Sequence, residues 1–345
     1  MHMADALISP AVGGTMWAAT AAIIGYSSKK VREDPDDQKI PLMAVVGAFI
    51  FAAQMINFTI PGTGSSGHIG GGMILAILLG PYAAFLAMAS VLAVQAMFFA
   101  DGGLLALGCN IFNLGFFPCF IAYPLIYKNI VGKRPGEKRL FMAATLSAVV
   151  ALQLGAFSVV LQTVASGVSE LPFATFAIVM QPIHLAIGLL EGLATTAVVL
   201  FVWKARPEIL NPVNGPTSDG ALPLRNLLIG FLAAAVVAGG ILSWFASVNP
   251  DGLEWSIFKT TDAKQLQDPQ PGAHAVLDKI QQKIAVLPDY GLKSETDGAS
   301  GEEGNRETVV DAGKSLSSLV GGALTLLIAG LVGVLLKHRK KSIRT

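Results

Sequence analysis

Apolar runs long enough to cross a lipid bilayer recur along this chain from Ala11 almost to its C-terminus. A membrane-spanning helix needs about 20 predominantly apolar residues. The chain is 53% hydrophobic and only 14% charged, well below the charge content of an ordinary soluble domain. We therefore predict an all-α integral membrane protein with spans at residues 11–27, 40–60, 68–79, 82–99, 104–127, 140–165, 173–203, 227–246 and 316–336.

Basic residues gather in four connections, and the positive-inside rule places all four in the cytoplasm. This placement requires two crossings between residues 60 and 99. As one helix, residues 69–99 would be about 46 Å long, too long for a hydrocarbon core of about 30 Å, and Gly80-Pro81 breaks it midway. We predict about nine crossings of the cell's inner (plasma) membrane, with Met1 outside and Thr345 inside. The basic connections lie at residues 29–39, 128–139, 204–225 and 337–344.

The pattern of spans divides the chain into two predicted units. Residues 1–205 form a bundle of seven spans, and residues 226–345 form a unit of two spans around an extracytoplasmic segment, residues 247–314. Residues 206–225 are rich in Pro, Gly and Asn, which is typical of a linker. The Gly and Glu content of residues 298–307 predicts partial disorder.

The sequence argues against nucleic-acid binding, a cysteine-based metal site, ATP hydrolysis and a cleaved signal peptide. A net charge of +1 indicates no nucleic-acid partner. Cys109 and Cys119 lie in one apolar run and are expected to be buried core residues rather than a disulfide or a metal pair. The nearest match to a phosphate-binding loop has Thr308 where its first glycine is required, so the chain is not predicted to hydrolyse ATP. A cleaved signal peptide over residues 1–22 is disfavoured by its missing basic region.

Two of the five histidines, His2 and His68, combine an unusual context with the same predicted side of the membrane. A histidine at position 2 can chelate a metal ion through the amine of Met1, the deprotonated amide nitrogen of His2 and its imidazole. These nitrogens lie nearly in a plane and leave one equatorial position, for which His68 is the candidate. A planar nitrogen field suits Ni(II) or Cu(II) rather than tetrahedral Zn(II). The glycine-rich residues 63–72 would let an ion approach closely.

Each of these signals has a structural alternative. Most lone histidines are structural, and the glycine-rich stretch could equally be a flexible re-entrant turn. We expect Asp5 to accept a hydrogen bond from an imidazole N–H and so to fix the orientation of that ring. The alternative for Asp5 is a capping or first-turn role for the span that begins near Ser9.

Short motifs recur at residues 1–5, 7–10, 67–72, 77–81, 101–103, 107–113 and 184–192, and in the C-terminal part at residues 249–254 and 287–291. With these motifs the chain resembles, over roughly residues 1–205, the substrate-binding M subunit of nickel and cobalt energy-coupling-factor transporters. In that family Met1, His2 and the loop histidine, here His68, hold the ion through nitrogen atoms. The C-terminal part resembles the small N subunit of the same transporters, which implies a fusion of the two.

This resemblance implies an ATP-driven importer whose transported substrate is Ni²⁺ or Co²⁺ and whose partners are a transmembrane T subunit and cytoplasmic ATPase subunits. Ala44, Ala48 and Ala52 form a smooth stripe on the second span. The resemblance suggests that the stripe docks on the T subunit, and packing inside this chain is an equal alternative. The Irving–Williams order and the planar geometry favour nickel over cobalt.

Other functions compete with this one. A proton-coupled secondary carrier for divalent metals would use His184 and Glu191, which lie within about 20° of one helix face, although a buried pair that ties helices together is favoured. A metal sensor or membrane scaffold is a third class, but the cytoplasmic loops contain no output domain. We expect residues 247–314 to hold the glycine-rich loop open or closed without supplying ligands. Deleting them should keep nickel affinity within a few-fold and sharply lower uptake.

Overall fold

The chain folds almost entirely into helices, as expected for an all-α protein. The computed structural model describes residues 2–34, 36–133, 135–169, 171–210, 222–261, 272–291 and 312–341. The main helices are α1 (Pro10–Glu33), α2 (Lys39–Gln54), α3 (Gly72–Leu79), α4 (Pro81–Phe99), α5 (Leu107–Val131), α6 (Glu137–Ser166), α7 (Phe173–Ala205), α8 (Leu224–Gly240), α9 (Gly252–Thr261), α10 (Ala273–Ile284) and α11 (Ala312–Lys341). Single helical turns lie at Asp5–Leu7, Pro207–Leu210, Leu242–Phe245 and Pro288–Tyr290.

Five helices of the described chain are long and apolar enough to cross a membrane, judged by length and composition: α4, α5, α6, α7 and most of α11. Helices α2 and α8 are apolar but shorter. The prediction of an all-α membrane protein is therefore confirmed. The predicted span at residues 40–60 was too long, because α2 ends at Gln54 and the chain then forms the hairpin of β1 (Phe58–Ile60) and β2 (Ser65–Gly67).

The predicted span at residues 68–79 is helical only from Gly72. Gly71 has a φ of +76°, which is outside the helical region, so residues 68–71 approach α3 as an irregular segment. The other end of α3, at Gly80-Pro81, lines one cleft together with basic residues from four parts of the chain. The crossing proposed from the charge pattern therefore runs toward the basic end of the molecule. The basic residues of the cleft are Lys30, Lys39, Lys128 and Lys337.

Helix α5 widens into π-helical turns between Phe112 and Tyr127, around Pro118 and Pro124. Proline lacks the N–H that an α-helix would use and displaces the preceding carbonyl, so the helix opens there. The widened turn packs directly on the start of α3: a Cβ at Gly72 would lie 2.4 Å from Pro118 Cγ and 2.6 Å from the carbonyl oxygen of Leu114. Only glycine fits at this crossing.

The alanine stripe of α2 is buried by the chain's own C-terminal helices. Ala44, Ala48 and Ala52 are 8%, 2% and 2% exposed. A Cβ at Gly330 of α11 would lie 3.3 Å from Ala44 Cβ, and a Cβ at Gly239 of α8 would lie 3.5 Å from Ala52 Cβ. The stripe therefore packs against other helices of the same chain in this structure, and its docking on a T subunit stays a prediction.

Candidate metal site

The N-terminal segment is clamped where it leaves the membrane-embedded bundle. Met3 is fully buried, and its backbone N–H donates to Oδ1 of Asn110 at 2.8 Å. Its carbonyl oxygen accepts from Asn110 Nδ2 at 3.2 Å and from the N–H of Gly103 at 2.9 Å. The Asn110 side chain in α5 and the backbone of the loop before α5 therefore fix the backbone directly after His2.

His2 and His68 lie against each other. Their rings are stacked, with centroids 5.2 Å apart and planes 9° from parallel. Nε2 of His2 is buried and has no hydrogen-bond partner among the residues that the structure describes. An unpartnered buried nitrogen calls for a functional explanation, because burying it without a hydrogen bond is unfavourable. The structure thus brings together two of the three predicted ligand residues; Met1 lies outside the described residues.

The hydrogen bond of His68 decides which of its ring nitrogens carries the lone pair. Its Nδ1 lies 3.0 Å from the carbonyl oxygen of Ile69. A carbonyl oxygen only accepts, so Nδ1 carries the proton and the lone pair is on Nε2. Burial lowers the pKa of His68 to about 4, so the ring is neutral at ordinary pH. A neutral imidazole with an available Nε2 is the form that binds a metal ion.

Glu191 on α7 holds the irregular segment between His68 and α3. Its two carboxylate oxygens accept from the backbone N–H groups of Gly70 and Gly71, both at 3.0 Å. Gln54 also holds this segment: its Nε2 donates to the carbonyl oxygen of Gly70 at 2.8 Å. Glu191 is therefore bound to the loop that carries His68. His184 bonds within its own helix, with Nδ1 2.8 Å from the carbonyl oxygen of Met180.

The carboxylate beside His2 belongs to Asp101. Its Oδ1 lies 3.2 Å from Nδ1 of His2, and its Oδ2 accepts from the hydroxyl of Tyr290 at 2.5 Å. Burial acts to raise the pKa of Asp101, but the charge and hydrogen bonds of His2 and Tyr290 outweigh it and hold the pKa below its usual value. Asp101 lies in the motif at residues 101–103, but no role was predicted for it from the sequence.

Asp5 supports the fold close by. Its Oδ1 accepts from the backbone N–H of Ala106 at 2.9 Å, just before α5 begins. The contact is tight, because a Cβ at Gly103 would lie 1.8 Å from the same oxygen. The start of α1 is capped instead by Ser9, whose side chain accepts from Val12 N–H. The role predicted for Asp5 at an imidazole stays a prediction; its side chain accepts from the residue just before α5, while Ser9 caps α1.

The C-terminal unit reaches into the site. The carbonyl oxygen of Pro250 accepts from the N–H of Ser66 at 2.8 Å, and Trp255 Nε1 donates to the carbonyl oxygen of Thr63 at 3.0 Å. These contacts hold residues 249–255 against the β1–β2 hairpin. Asp251 and Gly252 consequently line one small cavity with His68 and His184.

Asp251 faces this cavity as the cap of α9. Its Oδ1 accepts from the N–H groups of Leu253 and Glu254, both at 2.8 Å, and Glu254 Oε2 accepts from the N–H of Asp251 at 3.1 Å. This reciprocal capping box fixes both carboxylates. Burial acts to raise the pKa of Asp251, but positive charge at the chain's N-terminus and these hydrogen bonds lower it to about 2. The residue is an anion at the edge of the site.

A larger polar cavity opens beside the two histidines. It is lined by both rings and by carboxylates from both units: Asp101, Asp251, Glu254 and Asp289. Among the described residues, no three His, Cys, Asp or Glu side chains are placed to hold a metal ion by themselves.

Comparisons with known proteins match two parts of the chain to two families. Residues 2–209 match the family CbiM, described as the cobalt uptake substrate-specific transmembrane region, and residues 225–338 match the PDGLE domain. The fold and the site thus define a membrane protein of the metal-transport class. The chain belongs to the CbiM family, with a PDGLE domain on the same polypeptide.

Individual relatives and solved structures that are similar to this chain are also named as metal transport proteins. The chain is 33% identical over 303 residues to a protein of Archaeoglobus fulgidus provisionally named fused nickel transport protein NikMN, covering 85% of this chain and 88% of the relative. It is also 33% identical to the fused nickel transport protein NikMN of Rhodobacter capsulatus, covering 66% and 67%. A crystal structure of a truncated transition metal transporter superposes with a TM-score of 0.53 at 28% identity, covering 59% of this chain and 99% of that one.

Proposed function

We propose that this protein is the substrate-specific component of an ATP-driven importer of the energy-coupling-factor type, and that it binds Ni²⁺ or Co²⁺ at the extracytoplasmic side. The ligands are the amine of Met1, the amide nitrogen and imidazole of His2, and the imidazole of His68. The metal ion is the transported substrate. Nickel is favoured, since both the intrinsic affinity order and a planar nitrogen field favour Ni(II) over Co(II).

The observation that carries this proposal is the stacked pair of His2 and His68 at the end of the molecule away from the basic cleft. The pair joins the second residue of the chain to a loop that is held by Glu191 and by the C-terminal unit. The lone pair on His68 Nε2 supplies a monodentate donor of the kind that the N-terminal chelate leaves room for.

The charges around the histidines suit a bound dication. The chelate closes through Nδ1 of His2, the ring nitrogen nearest the amide, and this nitrogen faces Asp101. A divalent ion with one deprotonated amide keeps a net positive charge, which is unfavourable in a buried site without a counter-ion. Asp101 supplies that negative charge, and its lowered pKa keeps it ionised.

The test is a metal titration of purified protein with an unmodified N-terminus, using nickel, cobalt, copper and zinc. We expect tight nickel binding that His2→Ala abolishes and that one extra glycine before Met1 reduces nearly as much. The matched control is the same glycine added after Thr345. If the N-terminally extended protein binds nickel as tightly as the native protein, the amine is not a ligand and the proposal is wrong.

ATP coupling is tested in cells that express this protein with a T subunit and the ATPases. We expect nickel uptake to require ATPase activity and the ATPases to co-purify with the protein. The alternative, a proton-coupled carrier that uses His184 and Glu191, predicts uptake that survives loss of the ATPases and collapses with the proton gradient. Both carboxylate oxygens of Glu191 already accept from backbone amides of the loop. This structural role favours the ATP-driven importer over a carrier that uses Glu191 to move protons.

A further inference from the structure

Tyr290, in the C-terminal unit, contacts the carboxylate that faces His2. Its hydroxyl donates to Oδ2 of Asp101 at 2.5 Å, while Oδ1 of the same carboxylate lies 3.2 Å from His2 Nδ1. Three side chains from distant parts of the sequence therefore form one continuous contact chain. The final link, from Asp101 to His2, ends on a proposed metal ligand.

The turn that carries Tyr290 is held in an uncommon conformation. Asp289 and Tyr290 have φ values of +49° and +59°, in the left-handed region that residues other than glycine rarely occupy. Such conformations persist only where the surrounding structure fixes them, and they concentrate at functional sites.

The surrounding structure fixes this turn from several sides. The ring of Tyr290 stacks on Phe99, with centroids 5.0 Å apart and planes 19° from parallel. Its carbonyl oxygen accepts from Ser317 Oγ at 2.9 Å. The N–H groups of Val286 and Leu287 both donate to the carbonyl oxygen of Phe98 at 3.1 Å. The hydroxyl is therefore aimed at Asp101 by a rigid frame.

The loop that carries Asp101 is also held by the C-terminal unit. Nε2 of Gln281 on α10 donates to the carbonyl oxygen of Gly102 at 2.7 Å and to that of Ala96 at 2.9 Å. Both the backbone and the side chain of the Asp101 loop thus depend on residues that follow the predicted linker.

We propose that Tyr290 is a positioning residue for metal loading: its hydroxyl holds the Asp101 carboxylate against the ring of His2, so that the C-terminal unit sets the metal affinity of the N-terminal site. This inference rests on the proposed function. Tyr290 acts through Asp101, the residue to which its hydroxyl donates. Asp101 faces the same ring nitrogen of His2 that closes the proposed chelate, so it acts as a counter-ion beside the bound dication, and its placement affects metal affinity through that charge.

The experiment is a nickel titration of the full-length protein and three variants: Asp101→Asn, Tyr290→Phe and the double variant. We expect Asp101→Asn to weaken binding by about 10- to 100-fold and Tyr290→Phe by about 3- to 10-fold. The double variant should be no weaker than Asp101→Asn alone, because both changes break the same contact chain. The ligand-field absorption of bound Ni(II) should shift in both single variants, which a purely structural change would not cause.

Two controls separate the hydroxyl from the fold. Phenylalanine keeps the ring that stacks on Phe99, so Tyr290→Phe should retain the thermal transition of the native protein. Ser317→Ala removes one hydrogen bond of the same turn and keeps the hydroxyl, so it should weaken nickel binding clearly less than Tyr290→Phe does. Equal weakening by Ser317→Ala and Tyr290→Phe would assign the effect to the turn and overturn the proposal.

The outcomes also distinguish this proposal from the function on which it rests. Nickel binding that is lost in His2→Ala but unchanged in Tyr290→Phe would overturn the positioning role and leave the proposed function intact. Effects of Asp101→Asn and Tyr290→Phe that multiply in the double variant would show that the tyrosine acts independently of Asp101. If nickel binding by the native protein does not depend on His2, both the proposed function and the positioning role of Tyr290 are wrong.

Discussion

At the scale of single residues, burial decides the protonation of His68. Because the pKa of this ring is lowered to about 4, its charged form is suppressed at ordinary pH. With the proposed ligand set, the protons that a metal ion displaces above about pH 5 would therefore come from the remaining nitrogen donors.

We therefore expect nickel affinity to fall steeply from pH 8 to pH 5, while the ratio of dissociation constants of His68→Ala and native protein stays constant over that range. The measurement is calorimetric titration at several pH values. An affinity that is flat with pH would exclude the proposed ligand set. A ratio that narrows near pH 6.5 would show that His68 titrates like an exposed histidine.

Asp5 and Asp101 are two carboxylates close to the N-terminus, and a matched pair of substitutions separates their roles. Asp5→Asn keeps an oxygen that can accept from Ala106, whereas Asp101→Asn removes the negative charge facing His2. We expect the larger loss of nickel affinity in Asp101→Asn. An equal or larger loss in Asp5→Asn would restore the imidazole role predicted for Asp5 from the sequence.

At the scale of elements, the irregular segment before α3 depends on one carboxylate of α7. Glu191→Gln replaces one acceptor oxygen by an NH₂ donor, which cannot accept from a glycine amide. We expect a loss of about 1 to 3 kcal/mol of stability and weaker nickel binding, because the segment carries His68. Thermal unfolding and titration measure both.

The matched control is Glu137→Gln, an exposed carboxylate paired with Lys204 far from the histidines. It should change neither quantity, since exposed ion pairs contribute little to stability. If Glu191→Gln binds nickel normally but loses pH-coupled uptake, the secondary-carrier alternative gains support instead.

Length and hydropathy located most of the helices, because a bilayer imposes a minimum apolar run on each crossing. They could not locate the start of α3, because the irregular segment before it is held by Glu191, more than a hundred residues away in the sequence. Local chemistry likewise identified His2 and His68 from their positions and surroundings. Asp101 and Tyr290 gave no comparable signal, because their roles arise only from a tertiary contact.

At the scale of the whole molecule, the C-terminal unit covers the end of the bundle where the two histidines lie. Deleting residues 247–314 removes Tyr290 and the contacts of Pro250 and Trp255 with the hairpin. We expect nickel affinity to weaken somewhat more than in Tyr290→Phe, by about 10-fold, because the contact of Gln281 with the Asp101 loop is lost as well. Uptake by cells that contain the T subunit and the ATPases should fall much further.

Paired binding and uptake assays on the deletion variant check this expectation. A purified deletion variant that binds no nickel would show that the C-terminal segment supplies a ligand, contrary to the division of roles proposed above. The glycine-rich part of that segment, at residues 298–307, lies outside the described residues.

The contact of Tyr290 with Asp101 also sets an order in time. Ribosomes add about 5 to 20 residues per second, so His2 leaves the ribosome long before Tyr290 is made. During that interval the carboxylate that faces His2 lacks its second hydrogen bond, and the Ser317 side chain that fixes the tyrosine turn arrives later still. If Tyr290 positions Asp101 as proposed, we expect a nascent or truncated chain to hold metal less firmly than the finished protein. Tight loading would then appear only when synthesis is nearly complete.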